Sequence, residues 1–217
     1  IAGNGSDGLF AGDHALVEYC TARNNSGVGI SVGEGSTIIG CIGAVNGVYG
    51  IVANIGSTLA DCSASGNLGK GFLVSGSCMT ACTARDNTLS GIDAANGSSI
   101  VNCVSSGNEL HGIEVASQCI VESCHVDSNR ANGIQCFARC VIRNNNAFSN
   151  GLAAGDGAGL HAGSMGNRIE GNHCTSNDRG VHILAPGNVV VRNTCRDNGV
   201  NWNIVANNVV GPILNRT

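Results

Sequence analysis

The sequence predicts an all-β fold: a single-stranded parallel β-solenoid of about nine coils, each about 21 residues long and built from three short strands. Three observations carry this. Glycine followed mostly by an apolar residue recurs at Gly8, Gly29, Gly50, Gly71, Gly91, Gly112, Gly133, Gly159 and Gly180, in steps of 21, 21, 21, 20, 21, 21, 26 and 21. One slot of that period holds nine asparagines: Asn25, Asn46, Asn67, Asn87, Asn108, Asn129, Asn150, Asn177 and Asn198. Within a unit, apolar residues alternate with polar ones, as in Ile113–Glu114–Val115, and Gly, Ser and Asn separate the short runs.

Two further ladders keep the same phase. The first is Cys20, Cys41, Cys62, Cys82, Cys103 and Cys124, continued by Asn145, Asn172 and Asn193. The second is Ser36, Ser57, Ser77, Ser98, Cys119, Cys140, Asn167 and Asn188. Without hairpin signals the chain must wind rather than fold back, each coil stacking on the next at about 4.8 Å, for a rod on the order of 40 Å long. Identical residues then lie over one another. An Asn amide can donate to one neighbour and accept from the other, and Asn tolerates the left-handed turn conformation. Gly before each first strand suits the φ of a tight corner. A one-residue slip would turn every inward Ile outward, which pins the register.

Taken in order, residues 1–7 read as a partial first coil, 8–200 as repeats and 201–217 as a C-terminal cap, all one β-helix domain. The long insertion falls at Gly151–Ala158, and Trp202 has no counterpart in other coils, so it is expected to cover the last one. The chain begins at Ile1, as a processed product or a cut piece would. It opens already at the ladder turn, so further N-terminal coils or a cap are expected before it.

Only 12% of residues are charged and 3% aromatic, against 33 glycines, so the interior must be narrow and filled by small side chains. A net charge of -4 without Lys/Arg runs argues against nucleic acid as a partner. No apolar run reaches the roughly 18 residues of a membrane span, so no membrane partner is expected. The 12 cysteines follow the coil period rather than a zinc or disulfide spacing. Stacked thiols about 4.8 Å apart are too distant for the roughly 3.8 Å of bridged Cβ atoms, so most are expected free, Cys119 and Cys140 being the best-placed exception. They leave the compartment open.

The unit I-x-x-N/C-x-A/V-x-x-N-x-x-x-G-I-x-V, seen in IVESCHVDSNRANGIQC (Ile120 to Cys136), resembles the right-handed parallel β-helix proteins of the pectate-lyase-like group, and most of all the repeat regions of bacterial secreted proteins. The resemblance runs from Gly8 to about Val210. It implies right-handed winding, three sheets and a secreted or cell-surface location. The enzymes of that group are polysaccharide lyases, hydrolases and epimerases, with sites on the exterior of one sheet under loops.

Outward positions of one strand form a column on such a rod. Two residues after each repeat Gly stand Phe10, Ser31, Val52, Leu73, Asp93, Glu114, Gln135, His161 and His182. The last five are polar or titratable. Asp93, Glu114, His161 and His182 are the candidate catalytic residues; Gln135, Arg130, Asp156 and Arg179 are candidates for substrate binding, with Lys70, His111 and Asp178 in flanking turns. Carboxylates at about 5 Å could share a proton as general acid and base or hold Ca²⁺, and no cofactor is otherwise expected. In lyase-type chemistry His161 or His182 would take a proton beside a carboxylate that Arg130 or Arg179 neutralises. A groove of this kind suits an extended polysaccharide. The alternative is a non-catalytic structural solenoid, whose solvated face is polar for no other reason and whose open ends could self-associate end to end or side by side.

Overall fold

A computed structural model describes residues 1–151 and 157–216. Among the described residues every third strand pairs with the next, giving three parallel sheets of ten strands and no helix. Sheet I runs from Leu9–Ala11 to Val200–Ile204, sheet II from Leu16–Glu18 to Val209–Val210, and sheet III from Thr21–Arg23 to Leu214–Arg216. This is the parallel β-helix expected from the repeat, with the right-handed winding that the family resemblance implies. Residues 200–216 contribute a tenth strand to each sheet, with Trp202 paired to Val181 and Asn215 to Cys195.

The interior is divided by size. Sheet I sends in Ile30, Ile51, Phe72, Ile92, Ile113 and Ile134; sheet II sends in Ile38, Leu59, Met79, Ile100, Val121 and Ile142, all fully buried. Each such side chain contributes about 1.5–3 kcal/mol on burial. Sheet III faces them with Ala22, Ala64, Ala84, Ser105 and Ala147. These are small because the repeat glycines of sheet I close down on them: a Cβ on Gly50 would lie 2.8 Å from that of Ala64, and one on Gly159 3.2 Å from that of Ala147. The scarcity of aromatic residues follows from this thin cross-section.

The ladders form as stacked hydrogen bonds. The Asn108 amide donates to Asn129 Oδ1 at 2.9 Å and the Asn108 backbone N–H to the same oxygen at 3.1 Å. Asn129 repeats both bonds to Asn150, and its Nδ2 also donates to the Ser105 carbonyl at 3.0 Å. Asn129 thus has partners on the coil before and the coil after it, as buried polar groups require. In the thiol ladder, backbone N–H groups of Cys20, Cys41 and Cys62 point at the next sulfur at 3.4 Å. The Ser/Cys/Asn ladder extends one rung further, to Asn208, which accepts from the Asn188 N–H at 2.7 Å.

Two details differ from the sequence expectation. The left-handed residue is not the ladder Asn but the one before it: Asn24 (φ 53°), Val45 (φ 54°), Gly66 (φ 64°) and Ser128 (φ 56°). That residue turns the corner so that the next side chain can enter the interior. Val45 does so although a β-branched side chain strongly disfavours this region. The repeat glycines, conversely, are not at positive φ. They are required by close approach, since a Cβ on Gly112 would stand 2.6 Å from Asn129 Nδ2 and 2.7 Å from the Gly133 carbonyl oxygen.

All twelve cysteines are free, Cys119 and Cys140 included. Thiol titration of the denatured, unreduced protein is therefore expected to find twelve reactive groups, and prior reduction should not raise the count. Finding six bridges would contradict the stacked-thiol arrangement.

Candidate functional site

The sequence column is a physical one. Sheet I pairs Leu73 with Asp93, Asp93 with Glu114, Glu114 with Gln135, Gln135 with His161 and His161 with His182. Each of these residues lies between two inward side chains, such as Ile113 and Val115, so strand alternation aims it outward.

A second set of side chains, from the residue before each repeat Gly, meets this column across the coils. Lys70 forms an ion pair with Asp93, both about one-fifth to one-quarter exposed. Ser90 Oγ donates to Glu114 Oε2 at 3.1 Å. His111 lies close enough to Glu114 and Asp93 for their charges to favour its protonation, but burial is the larger effect and lowers its pKa. Its Nδ1 accepts the backbone N–H of Asn132 at 3.2 Å, which leaves Nε2 as the protonated nitrogen of the neutral ring. The Asn132 side chain donates to Gln135 Oε1 at 2.9 Å and approaches His161 Nδ1 at 3.4 Å.

His161 is strongly perturbed. Its ring stacks on that of His182 at 5.0 Å between centroids and 29° between planes. Burial, then the positive charges available on His182, His111 and Arg179, lower its pKa to about 4. Its Nε2 is buried with no hydrogen-bond partner among the described residues. Below pH 6.5 an unfolded chain would bind a proton at this histidine while the fold would not, until about pH 4. Stability is thus expected to fall as pH drops through that window. The melting temperature measured from pH 7 to 4.5 checks this: His161→Gln should reduce the decline, and an unchanged slope would refute the assignment.

Arg130 donates to Glu109 at 2.8 Å on the preceding coil, both side chains being more than half exposed. Among the described residues, Asp178 keeps one buried carboxylate oxygen without a partner, as Trp202 does its Nε1. Asp156 lies outside the described residues. The insertion that contains it is rooted beside the column: Ala158 N–H donates to Asn132 Oδ1 at 2.8 Å and Arg179 N–H to the Gly157 carbonyl at 3.0 Å.

Ser90 and Asn132 were not evident from the sequence; their partners lie 24 and 29 residues away, diagonally across coils, and so off the 21-residue period. Among the described residues no group of three or more His, Cys, Asp or Glu is arranged to hold a metal. A Ca²⁺ ion could bridge Asp93 and Glu114 only by displacing the Lys70 ammonium from Asp93. No helix among the described residues is long and apolar enough to cross a membrane.

A three-sheeted parallel solenoid with side-chain ladders at its corners defines a right-handed parallel β-helix protein. The chain belongs to the family described as right handed beta helix region, whose model matches residues 33–164. A search of curated protein sequences found no significant match. Among solved structures, the A-module of mannuronan C-5 epimerase AlgE6 from Azotobacter vinelandii superposes with a TM-score of 0.70 at 15% identity, over 93% of this chain and 58% of that one. The AlgE4 A-module from the same organism gives 0.65 at 18%, over 89% and 63%. The pectate lyase Pel9A gives 0.64 at 16%, over 87% and 60%. The chain thus spans about three-fifths of the length of these structures, and at such identities they share its fold.

Proposed function

We propose that the chain binds and processes an extended acidic polysaccharide along the outer face of sheet I, outside the cell or in the periplasm. The observation that carries this is the column Asp93–Glu114–Gln135–His161–His182 on five consecutive coils, crossed by Lys70, Ser90, His111 and Asn132. A straight row at about 4.8 Å per coil matches a linear polymer better than a compact metabolite. The structural neighbours named as epimerases and a pectate lyase support a carbohydrate-directed role.

An acidic polymer is favoured over a neutral one. The column from Asp93 to His182 carries no Phe, Tyr or Trp on which a sugar could stack, while Lys70 and Arg179 bring positive charge beside it. In the reaction class that fits, the base His161 or His182 takes the proton from the carbon next to a uronate carboxylate, and the cation stabilises the charge that develops there. The carbanion then regains a proton, or it expels the glycosidic oxygen. That oxygen leaves with the bonding electron pair, takes up a proton and leaves a carbon–carbon double bond. Glu114 is the candidate proton donor, since Lys70 holds Asp93 as a carboxylate.

The test is a panel of polyuronates and neutral glycans, with and without Ca²⁺, read for binding, unsaturated ends, reducing ends and altered uronate composition. A change confined to acidic polymers supports the reading. A blank panel favours a structural solenoid. That second reading draws on the internal partners of the two carboxylates, Lys70 for Asp93 and Ser90 for Glu114, since a face serving only as surface would satisfy its own charges in this way.

A further inference from the structure

We propose that Asn132 and Gln135 hold Nδ1 of His161 between a hydrogen-bond donor and an acceptor, so that the neutral ring is stabilised with its proton on either nitrogen and Nε2 can meet a ligand as acceptor or as donor. The inference rests on sheet I being the functional face, but it concerns the ring itself and can be tested without substrate.

The two amides orient themselves. The Ala158 N–H can only donate, so the Asn132 atom 2.8 Å from it is Oδ1. The Asn132 Nδ2 then faces the other way, and the Gln135 atom 2.9 Å from it must be the acceptor Oε1. His161 Nδ1 stands 3.4 Å from that donor and 3.4 Å from that acceptor. With a lone pair on Nδ1 it accepts from Asn132 and Nε2 carries the hydrogen. With a hydrogen on Nδ1 it donates to Gln135 and Nε2 carries the lone pair. Neither arrangement leaves Nδ1 unpaired.

The surroundings make the neutral forms the relevant ones. Asn132 is 6% exposed, and Gln135 and His161 are half-buried. The groups that act on the ring electrostatically, His182, His111 and Arg179, are all cations or potential cations and oppose an imidazolium. Asp93 and Glu114, which would favour one, act on His111 instead. Nε2 is buried and has no partner among the described residues. A buried polar atom of this kind is costly until something fills the site. A hydroxyl, which both donates and accepts, would satisfy it in either tautomer, and a polysaccharide presents hydroxyls along its whole length.

The neighbouring ring supplies an internal reference. His111 Nδ1 faces a backbone N–H, which only donates, so that ring has a single neutral tautomer. Nitrogen-15 NMR of the histidine rings at pH 7 should show His111 as one pure tautomer and His161 with shifts averaged between the two. Gln135→Leu removes the acceptor and should move His161 toward the Nε2–H form. Asn132→Ala removes the side-chain donor and should move it the opposite way, leaving His111 unchanged because the backbone N–H remains. A single His161 tautomer in the unaltered protein would overturn the proposal, whether or not the variants fold, and so would shifts in the same direction. Opposite shifts in a protein that leaves every polyuronate untouched would uphold the clamp and count against the proposed function alone.

Discussion

Asn129→Ala is expected to destabilise the rod by about 3–5 kcal/mol, a large share of the roughly 5–15 kcal/mol that holds a typical domain together. Asn129 Oδ1 accepts from both the Asn108 N–H and its amide, and Asn129 Nδ2 donates to Asn150 and Ser105. All of these bonds are buried. Truncation leaves the Asn108 N–H without its acceptor and opens a gap at the corner. In a solenoid each coil is supported only by its neighbours, so the damage falls on the coupling between two halves of the stack. Asn198→Ala, near the end of the same ladder and half-buried, should cost about a third as much. Urea unfolding measures both. A midpoint for Asn129→Ala equal to that of the unaltered protein would mean that the ladder is a consequence of stacking rather than a support for it.

The second large effect concerns turnover. If His161 transfers the proton, His161→Ala should lower kcat on a responsive polyuronate by about 10²–10⁴-fold. Glu114→Gln keeps the shape of the carboxylate and its Ser90 contact but cannot ionise; it should lower kcat by about 10-fold or more while leaving thermal stability nearly unchanged. Both should affect kcat more than KM, because the groups act on the reacting atoms. Full activity in both variants, in a preparation of proven activity, would exclude this column as the reacting face.

Much of this molecule can be read without coordinates. The 21-residue step places Asp93, Glu114, Gln135, His161 and His182 in one row because parallel strands in register stack equivalent residues directly. The one-residue deletion at the Ser75–Gly76 turn and the insertion at Gly151–Ala158 do not disturb the row, since sheet I keeps its register from Leu73 to Asp93 and from Gln135 to His161. The glycines were legible as a period but not in their cause: proximity to the Asn ladder and to sheet III, rather than φ, excludes a side chain from them.

What the period cannot express is offset. The pairs that define the site join different positions of neighbouring coils: Lys70 with Asp93, Ser90 with Glu114, Asn132 with His161. Which diagonal neighbours touch depends on how sharply the corner before each repeat Gly bends and how far each side chain reaches, and neither is written in a repeat. Periodicity in the amino-acid order alone therefore determined the architecture, the register and the row of outward groups, because a repeated pattern has one self-consistent stacking. The tertiary structure decided which members of that row are already paired, which ring is buried and neutral, and that Asn132 connects two histidines with the root of the insertion. These depend on distances across coils, and charge, burial and hydrogen bonding are set by distance rather than by position along the chain.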